Sequence, residues 1–339
     1  MEKVVNEEIK KGLTETEENI YHWLESTPEE KQLVCCGAED DACVEDHLNV
    51  INETLEKIDD GTFGICEICN QPVDDELLRM DYTSTVCLGH YTEAELRQLE
   101  SELELSQIVQ RSLLPQQAPI IPGMNVAGFS RPAQIVSGDY FDFFQFKDGT
   151  HGIVMADISG HGVSAGMLMT SLQTAFHTLV PYADSPLDVL ERINRLYIHN
   201  VAFTTFVTIF FAKFDSATRI LTYANAGHNS AYLYRPSKKE ETWLSPTGPA
   251  IGLMEGFNVR TEQVELKDDD ILLLYTDGIT EAMNARGEQF GTERLATLVK
   301  ANTGLSAQDL ANSVLLTVSD FAEGKSFNDD ITIITSKIG

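Results

Sequence analysis

Three short apolar runs in the second half of the chain are bounded by aspartate. IVMAD ends on Asp157, ILLLYTD ends on Asp277, and DDITII opens at Asp329. Runs of this kind read as buried strands, and an aspartate at the end of a buried strand projects from a rigid scaffold into a cleft where ligands bind. A fourth carboxylate, Asp139, lies in Ser137-Gly138-Asp139-Tyr140-Phe141-Asp142. Carboxylates gathered in one place repel and raise one another's proton affinity, and divalent cations remove that conflict. Oxygen-only ligation favours Mg²⁺ or Mn²⁺ over zinc. Two such ions about 3.5–4 Å apart can share a hydroxide and neutralise phosphoryl oxygens. One Asp-Gly alone is an ordinary turn signal, so the weight rests on the set.

Around these motifs, β-rich runs at 151–157, 203–214, 220–225, 231–234, 271–275 and 331–335 are separated in blocks by helical stretches at 164–179, 186–201, 293–303 and 306–321. Strands 203–234 follow one another closely and predict antiparallel meanders, hence a layered α+β domain and not a doubly wound parallel sheet.

The first part of the chain is different in kind. Net charge is -29 overall, and residues 1–118 carry 28 acidic against 8 basic side chains, which marks a separate module and argues against direct nucleic-acid binding. All six cysteines (35, 36, 43, 66, 69 and 87) lie within the first 90 residues. Cys66-x2-Cys69 and, 17 residues on, Cys87-x2-His90 form two chelating pairs with the ligand types and spacing of a structural tetrahedral zinc site, with no open position for catalysis. Adjacent Cys35 and Cys36 read as ordinary thiols, the alternative being a redox switch, a question that the nearness of Cys43 leaves open. Residues 3–26 and 44–59 predict two helices joined as a hairpin, the second with Val44, Leu48, Ile51, Leu55 and Ile58 on one face. Thr92–Leu113 predicts an amphipathic helix whose apolar stripe drifts between registers, as in a short coiled coil, and Pro115 stops it. The expected organisation is therefore a hairpin and zinc module over 1–91, a linker helix over 92–117 and a catalytic domain over 118–339. No apolar run is long enough for a membrane span and the N-terminus is charged, so a cytoplasmic protein is expected.

Two resemblances follow from these residues. EKIDDGTFGICEICNQPV, over about residues 40–90, resembles the DksA/TraR zinc-finger family, with His90 in place of its usual fourth cysteine; Glu39-Asp40-Asp41-Ala42 is loosely similar to the acidic hairpin tip by which that family binds RNA polymerase. SGDYFD, ADISGHG, NAGHN, YTDGITEA and NDDIT, in that order over 118–338, resemble the metal-dependent PPM phosphatases, specifically their SpoIIE/RsbU-like bacterial branch. The second resemblance implies a layered β-sandwich flanked by helices. It implies that Asp157 bridges two metals with help from the Ile158 carbonyl, that Asp277 and Asp329 serve one of them, and that Asp139 serves the other. Asp330 is expected to support the site. His161 is a candidate proton donor to the leaving oxygen, the alternative being a turn that caps the next helix. His228 is expected to brace a turn, and Arg131 lies near where a phosphate-gripping arginine would be sought.

The function expected is hydrolysis of phosphoserine or phosphothreonine on a regulatory partner protein, anti-anti-sigma-like with a STAS-type fold, using two Mn²⁺ or Mg²⁺ ions, with one structural Zn²⁺ in the N-terminal module. A homodimer is expected from the leucine stripe. The alternative is a zinc-finger protein that docks on RNA polymerase and carries a non-catalytic scaffold domain.

Overall fold

The computed structural model describes residues 6, 7, 9–14, 17, 20, 21, 42–80, 82–160, 162–200, 206–254, 258–323, 327 and 329–339. Among them the strands in chain order are β1 (Met124–Arg131), β2 (Tyr140–Gln145), β3 (His151–Ile158), β4 (Val207–Asp215), β5 (Ile220–Ala226), β6 (Ala231–Arg235), β7 (Glu240–Leu244), β8 (Glu262–Glu265), β9 (Ile271–Tyr275) and β10 (Ile331–Ile338). The helices are α1 (Ala42–Asp60), α2 (Asp75–Met80), α3 (Glu93–Leu113), α4 (Val163–Leu179), α5 (Pro186–Asn200), the single turn α6 (Asp277–Thr280), α7 (Gly291–Ala301) and α8 (Ala307–Phe321). Contacts divide the chain into two units, one of residues 1–103 with 202–204 and one of 104–201 with 205–339; the division falls inside α3.

In the larger unit, two five-stranded sheets with the orders β1-β10-β9-β6-β7 and β2-β3-β4-β5-β8 face each other, and every strand pairing is antiparallel. Strand alternation explains why the central strands read as unbroken apolar runs. In β3, Ile153 and Met155 point into the sandwich, where they meet Phe210, Leu233, Leu272 and Leu274. Val154, Ala156 and Ile158 point the other way, onto Met169, Leu172 and Phe176 of α4 and Leu190 and Ile193 of α5. In β9, Ile271, Leu273 and Tyr275 likewise turn outward onto Leu295 and Val299 of α7 and Leu310 and Val314 of α8. The result is four layers, helices over sheet over sheet over helices.

Most of the expected elements are present at close to the expected bounds, including Ile271–Tyr275. One expectation needs correction. The strands of 203–234 are not one meander: β4 pairs with β5, but β6 leaves for the other sheet and pairs with β7 and β9. The turn that makes this crossing is Gly227-His228-Asn229-Ser230, and Gly227 has φ 70°, a conformation that a side chain would strain.

In the smaller unit, Leu48, Ile51 and Thr54 of α1 are buried, with Leu55 and Ile58 half-buried, so the predicted apolar face is the packed one. Lys10 forms an ion pair with Asp59 near the end of α1. A small core of Phe63, Cys66, Val73 and Leu78 closes the knuckle. The acidic turn at 39–41, Cys35 and Cys36 lie outside the described residues. No helix among those described is long and apolar enough to cross a membrane.

Candidate active site

Strand direction brings the aspartates together. β9 runs antiparallel to β10, with Tyr275 opposite Ile333, so Asp277 just after β9 and Asp329-Asp330 just before β10 lie at the same end of one sheet. In the other sheet Tyr140 pairs with Ala156, which sets Asp139, just before β2, beside Asp157 near the end of β3. Thr276 joins the two ends. Its fully buried hydroxyl accepts from the Thr332 amide at 2.9 Å and donates to Asp139 Oδ2 at 2.8 Å. Backbone crowding fixes Gly278 in the Tyr-Thr-Asp-Gly motif, because a Cβ there would sit 2.0 Å from the Asp330 carbonyl oxygen.

Electrostatics shows what the cleft is suited to hold. Burial, then the charges of Asp157 and Asp330, hold the Asp139 carboxyl well above its usual range. Burial, then Asp277, Asp329 and Asp330, push Asp157 up to about 7. Asp277 is raised by burial, then by Glu281 and Asp330. Mutually repelling, oxygen-only donors on rigid strand ends suit divalent cations, so the residues present fit the expected metals. These carboxylates act on one another through space, without three of them meeting at a single point. Among the described residues, the cysteine quartet alone brings at least three His, Cys, Asp or Glu ligand atoms within 4.8 Å of one another.

The Ile158 carbonyl lies against this set, 3.1 Å from where a Cβ on Gly138 would be. His161 lies outside the described residues. Asp142 accepts hydrogen bonds from Tyr140 Oη, from the Phe143 amide and at 2.8 Å from His177 Nε2, which ties the far end of α4 to β2. His228 is buried and braces its turn: its amide donates to Asn225 Oδ1, and Nδ1 is 2.8 Å from the Thr208 hydroxyl, across from Asp157 on β4. Burial lowers its pKa to about 4, which keeps the ring neutral. Arg131 is exposed, with its guanidinium 5.5 Å from the centre of the Phe327 ring.

Sequence reasoning missed Gln110. This residue of α3 is buried; its Nε2 donates to the Ser137 carbonyl at 2.7 Å and its Oε1 accepts from the Ser137 amide at 2.8 Å. It thus holds the backbone two residues ahead of Asp139. A glutamine is an unremarkable helix surface residue by composition, but its place inside the Ser106–Leu113 segment, on the turn that also brings Leu114 to the cores, was the available signal.

In the smaller unit, Cys66, Cys69, Cys87 and His90 place one ligand atom each within 4.8 Å of the others, consistent with a zinc site. Cys69 Sγ and Cys87 Sγ are 3.8 Å apart, the edge of a tetrahedron with metal–sulfur bonds of about 2.3 Å. The Cys87 amide donates to Cys66 Sγ at 3.5 Å. The three thiols are free of disulfides.

A four-layer antiparallel sandwich with aspartates at one end of both sheets is the PP2C-like phosphatase architecture. The chain belongs to the SpoIIE family: the sequence profile described as Stage II sporulation protein E (SpoIIE) matches residues 147–339. The chain is 29% identical over 276 residues to the phosphoserine phosphatase RsbU of Bacillus subtilis, covering 77% of this chain and 79% of RsbU. Its fold matches the SiaA-PP2C domain of Pseudomonas aeruginosa with a TM-score of 0.64 at 21% identity, over 73% of this chain and all of that domain. It also matches RsbX in complex with magnesium, with a TM-score of 0.52 at 16% identity, over 66% of this chain and 99% of RsbX.

Proposed function

We propose that the protein is a metal-dependent phosphoprotein phosphatase that hydrolyses phosphoserine or phosphothreonine on a regulatory partner, an anti-anti-sigma-like protein of STAS type. The observation that supports this best is the convergence of Asp139, Asp157, Asp277 and Asp329 from four separate segments onto one end of the sandwich, with raised proton affinities on Asp139, Asp157 and Asp277. Asp157, with the Ile158 carbonyl, would bridge two Mn²⁺ or Mg²⁺ ions; Asp277 and Asp329 would hold one and Asp139 the other. Bound there, the ions supply an activated water and charge neutralisation for the phosphoryl group. Relationship to RsbU, named a phosphoserine phosphatase, supports the reaction class. Within this reading residues 1–91 form a zinc-stabilised regulatory module, 92–117 link it to the catalytic domain 118–339, and the protein works as a cytoplasmic homodimer. His161 is the proposed proton donor.

Purified protein should release phosphate from a phosphoserine protein only with added Mn²⁺ or Mg²⁺, and Asp277→Asn should lower the rate about a hundredfold or more. Full activity in that variant, or activity that survives exhaustive chelation, overturns the assignment.

A further inference from the structure

The second aspartate of Asn-Asp-Asp-Ile-Thr makes two bonds that neither the ligand set nor the packing requires. Asp330 is 8% exposed. Its Oδ1 accepts from the Ala133 amide at 2.7 Å and its Oδ2 accepts from the Gly138 amide at 2.7 Å. Both donors lie nearly 200 residues away in sequence, in the irregular segment between β1 and β2. That segment has no sheet partner to fix it, and it ends on Asp139.

The geometry points to Asp330 as a positioning residue, which holds the Gly138-Asp139 backbone in place for metal binding without being a metal ligand itself. The inference rests on the two-metal reading above. Its chemical core is the number of acceptors. Two amide N–H groups meet two different oxygens of one side chain, and only a carboxylate presents an acceptor at both positions. Asparagine has the same shape but one acceptor, so whichever way its amide turns, an NH₂ group faces an N–H. Such bonds to an ionised group are short and strong, and they resist displacement of the loop. The other restraints on this segment act elsewhere: Gln110 on Ser137, the Ser137 hydroxyl on the Asp139 amide at 3.0 Å, and Thr276 on the Asp139 carboxylate. Asp330 is the side chain that grips Gly138, and it does so from the strand that also carries Asp329. One rigid element, the start of β10, therefore sets the spacing between the Asp139 side of the cleft and the Asp329 side.

Charge is the competing explanation, since Asp330 also acts electrostatically on Asp139, Asp157 and Asp277. Asp330→Asn and Asp330→Glu separate the two. In metal-free full-length protein, amide hydrogen exchange at whichever of Gly138 and Ala133 faces the new NH₂ group should accelerate about tenfold or more in Asp330→Asn, the size expected for losing a charge-assisted bond. Isothermal titration with Mn²⁺ should show one of two ions weakened about tenfold or more and the other within about twofold. Asp330→Glu keeps the charge but carries its carboxylate one methylene too far, and it should reproduce the selective loss. Unchanged exchange at both amides, equal weakening of both ions, or full recovery in Asp330→Glu overturns the proposal. A wild-type protein that binds no Mn²⁺ overturns the two-metal reading instead, and the exchange comparison still decides whether Asp330 holds the segment.

Discussion

Replacing the central aspartate of the candidate site should stabilise the metal-free protein, and by an amount that grows with pH. Asp157 is raised from 3.8 to about 7 by burial and by the charges of Asp277, Asp329 and Asp330. For an acid raised in the folded state, the folded protein keeps a proton that the unfolded chain has released, so stability is lost as pH rises through that interval. The loss is absent below pH 3.8 and complete above about pH 7. At about 1.4 kcal/mol per pH unit, the full interval corresponds to about 4 kcal/mol, and the part below pH 5 to about 2 kcal/mol. Asp157→Asn removes this penalty. His228 titrates in the same range with the opposite sign, because its pKa is lowered to about 4 and the buried neutral ring loses stability as pH falls below about 6.5. In the difference between variant and wild type that contribution cancels. The assay is urea unfolding in EDTA at pH 5 and pH 8. A Trp23→Phe background leaves Trp243, packed 4.7 Å from the Tyr232 ring, as the reporter of the sandwich. The variant should be more stable by about 2 kcal/mol at pH 5 and about 4 kcal/mol at pH 8, while its metal-dependent hydrolysis falls about a hundredfold or more. Equal stabilities at both pH values, or a less stable variant at pH 8, would refute the claim that these carboxylates are held together against repulsion.

Three further outcomes are expected. Elemental analysis should find one zinc per chain, lost in Cys66→Ser and Cys87→Ser, weakened in His90→Ala and retained in His90→Cys; a wild-type content near zero removes the site. Gln110→Ala leaves the Ser137 amide and carbonyl without partners and should cost about 2 kcal/mol in unfolding free energy, with a smaller loss in Gln110→Glu, which keeps one acceptor; no change in either would show that water replaces the contact. Deleting residues 1–117 should change kcat/KM several-fold and convert a dimer to a monomer by light scattering; equal kinetics removes the regulatory role, and a monomeric full-length chain removes the dimer.

What the sequence disclosed and what it withheld divide along a physical line. Strands with both faces covered, such as Ile271–Tyr275, announce themselves because every position must be apolar, and their flanking aspartates then stand out against the background. Edge strands do not. Glu240–Leu244 and Glu262–Glu265 each have one neighbour and mostly exposed side chains, so their residues carry neither an apolar run nor a strict alternation. Tyr140–Gln145 was hidden differently: its Asp142 breaks the apolar pattern, and its burial is tolerable because Tyr140 and Phe143 of the same strand and His177 of α4, which only the fold brings near, supply three donors. The change of sheet between β5 and β6 left no mark at all, since a four-residue connection serves a hairpin and a crossing equally well.

Helix α3 shows why a periodicity can be read correctly and still mislead about its purpose. Its stripe was legible as apolar residues in search of a partner, but those residues do not share one face. At about 100° per residue, Gln110 and Leu114 lie roughly opposite Leu105, Ile108 and Val109. The first pair is used: Gln110 bonds the Ser137 backbone and Leu114 packs on the sandwich cores. The second set is 60%, 65% and 51% exposed. The drift between registers that looked like an imperfect coiled coil is therefore the overlap of two faces, one committed to the catalytic unit and one exposed. In the homodimer proposed above, pairing through that exposed face would give α3 a direct physical route from association to metal binding. Any rotation of α3 that improved burial of Leu105, Ile108 and Val109 would have to carry Gln110, and with it Ser137, along.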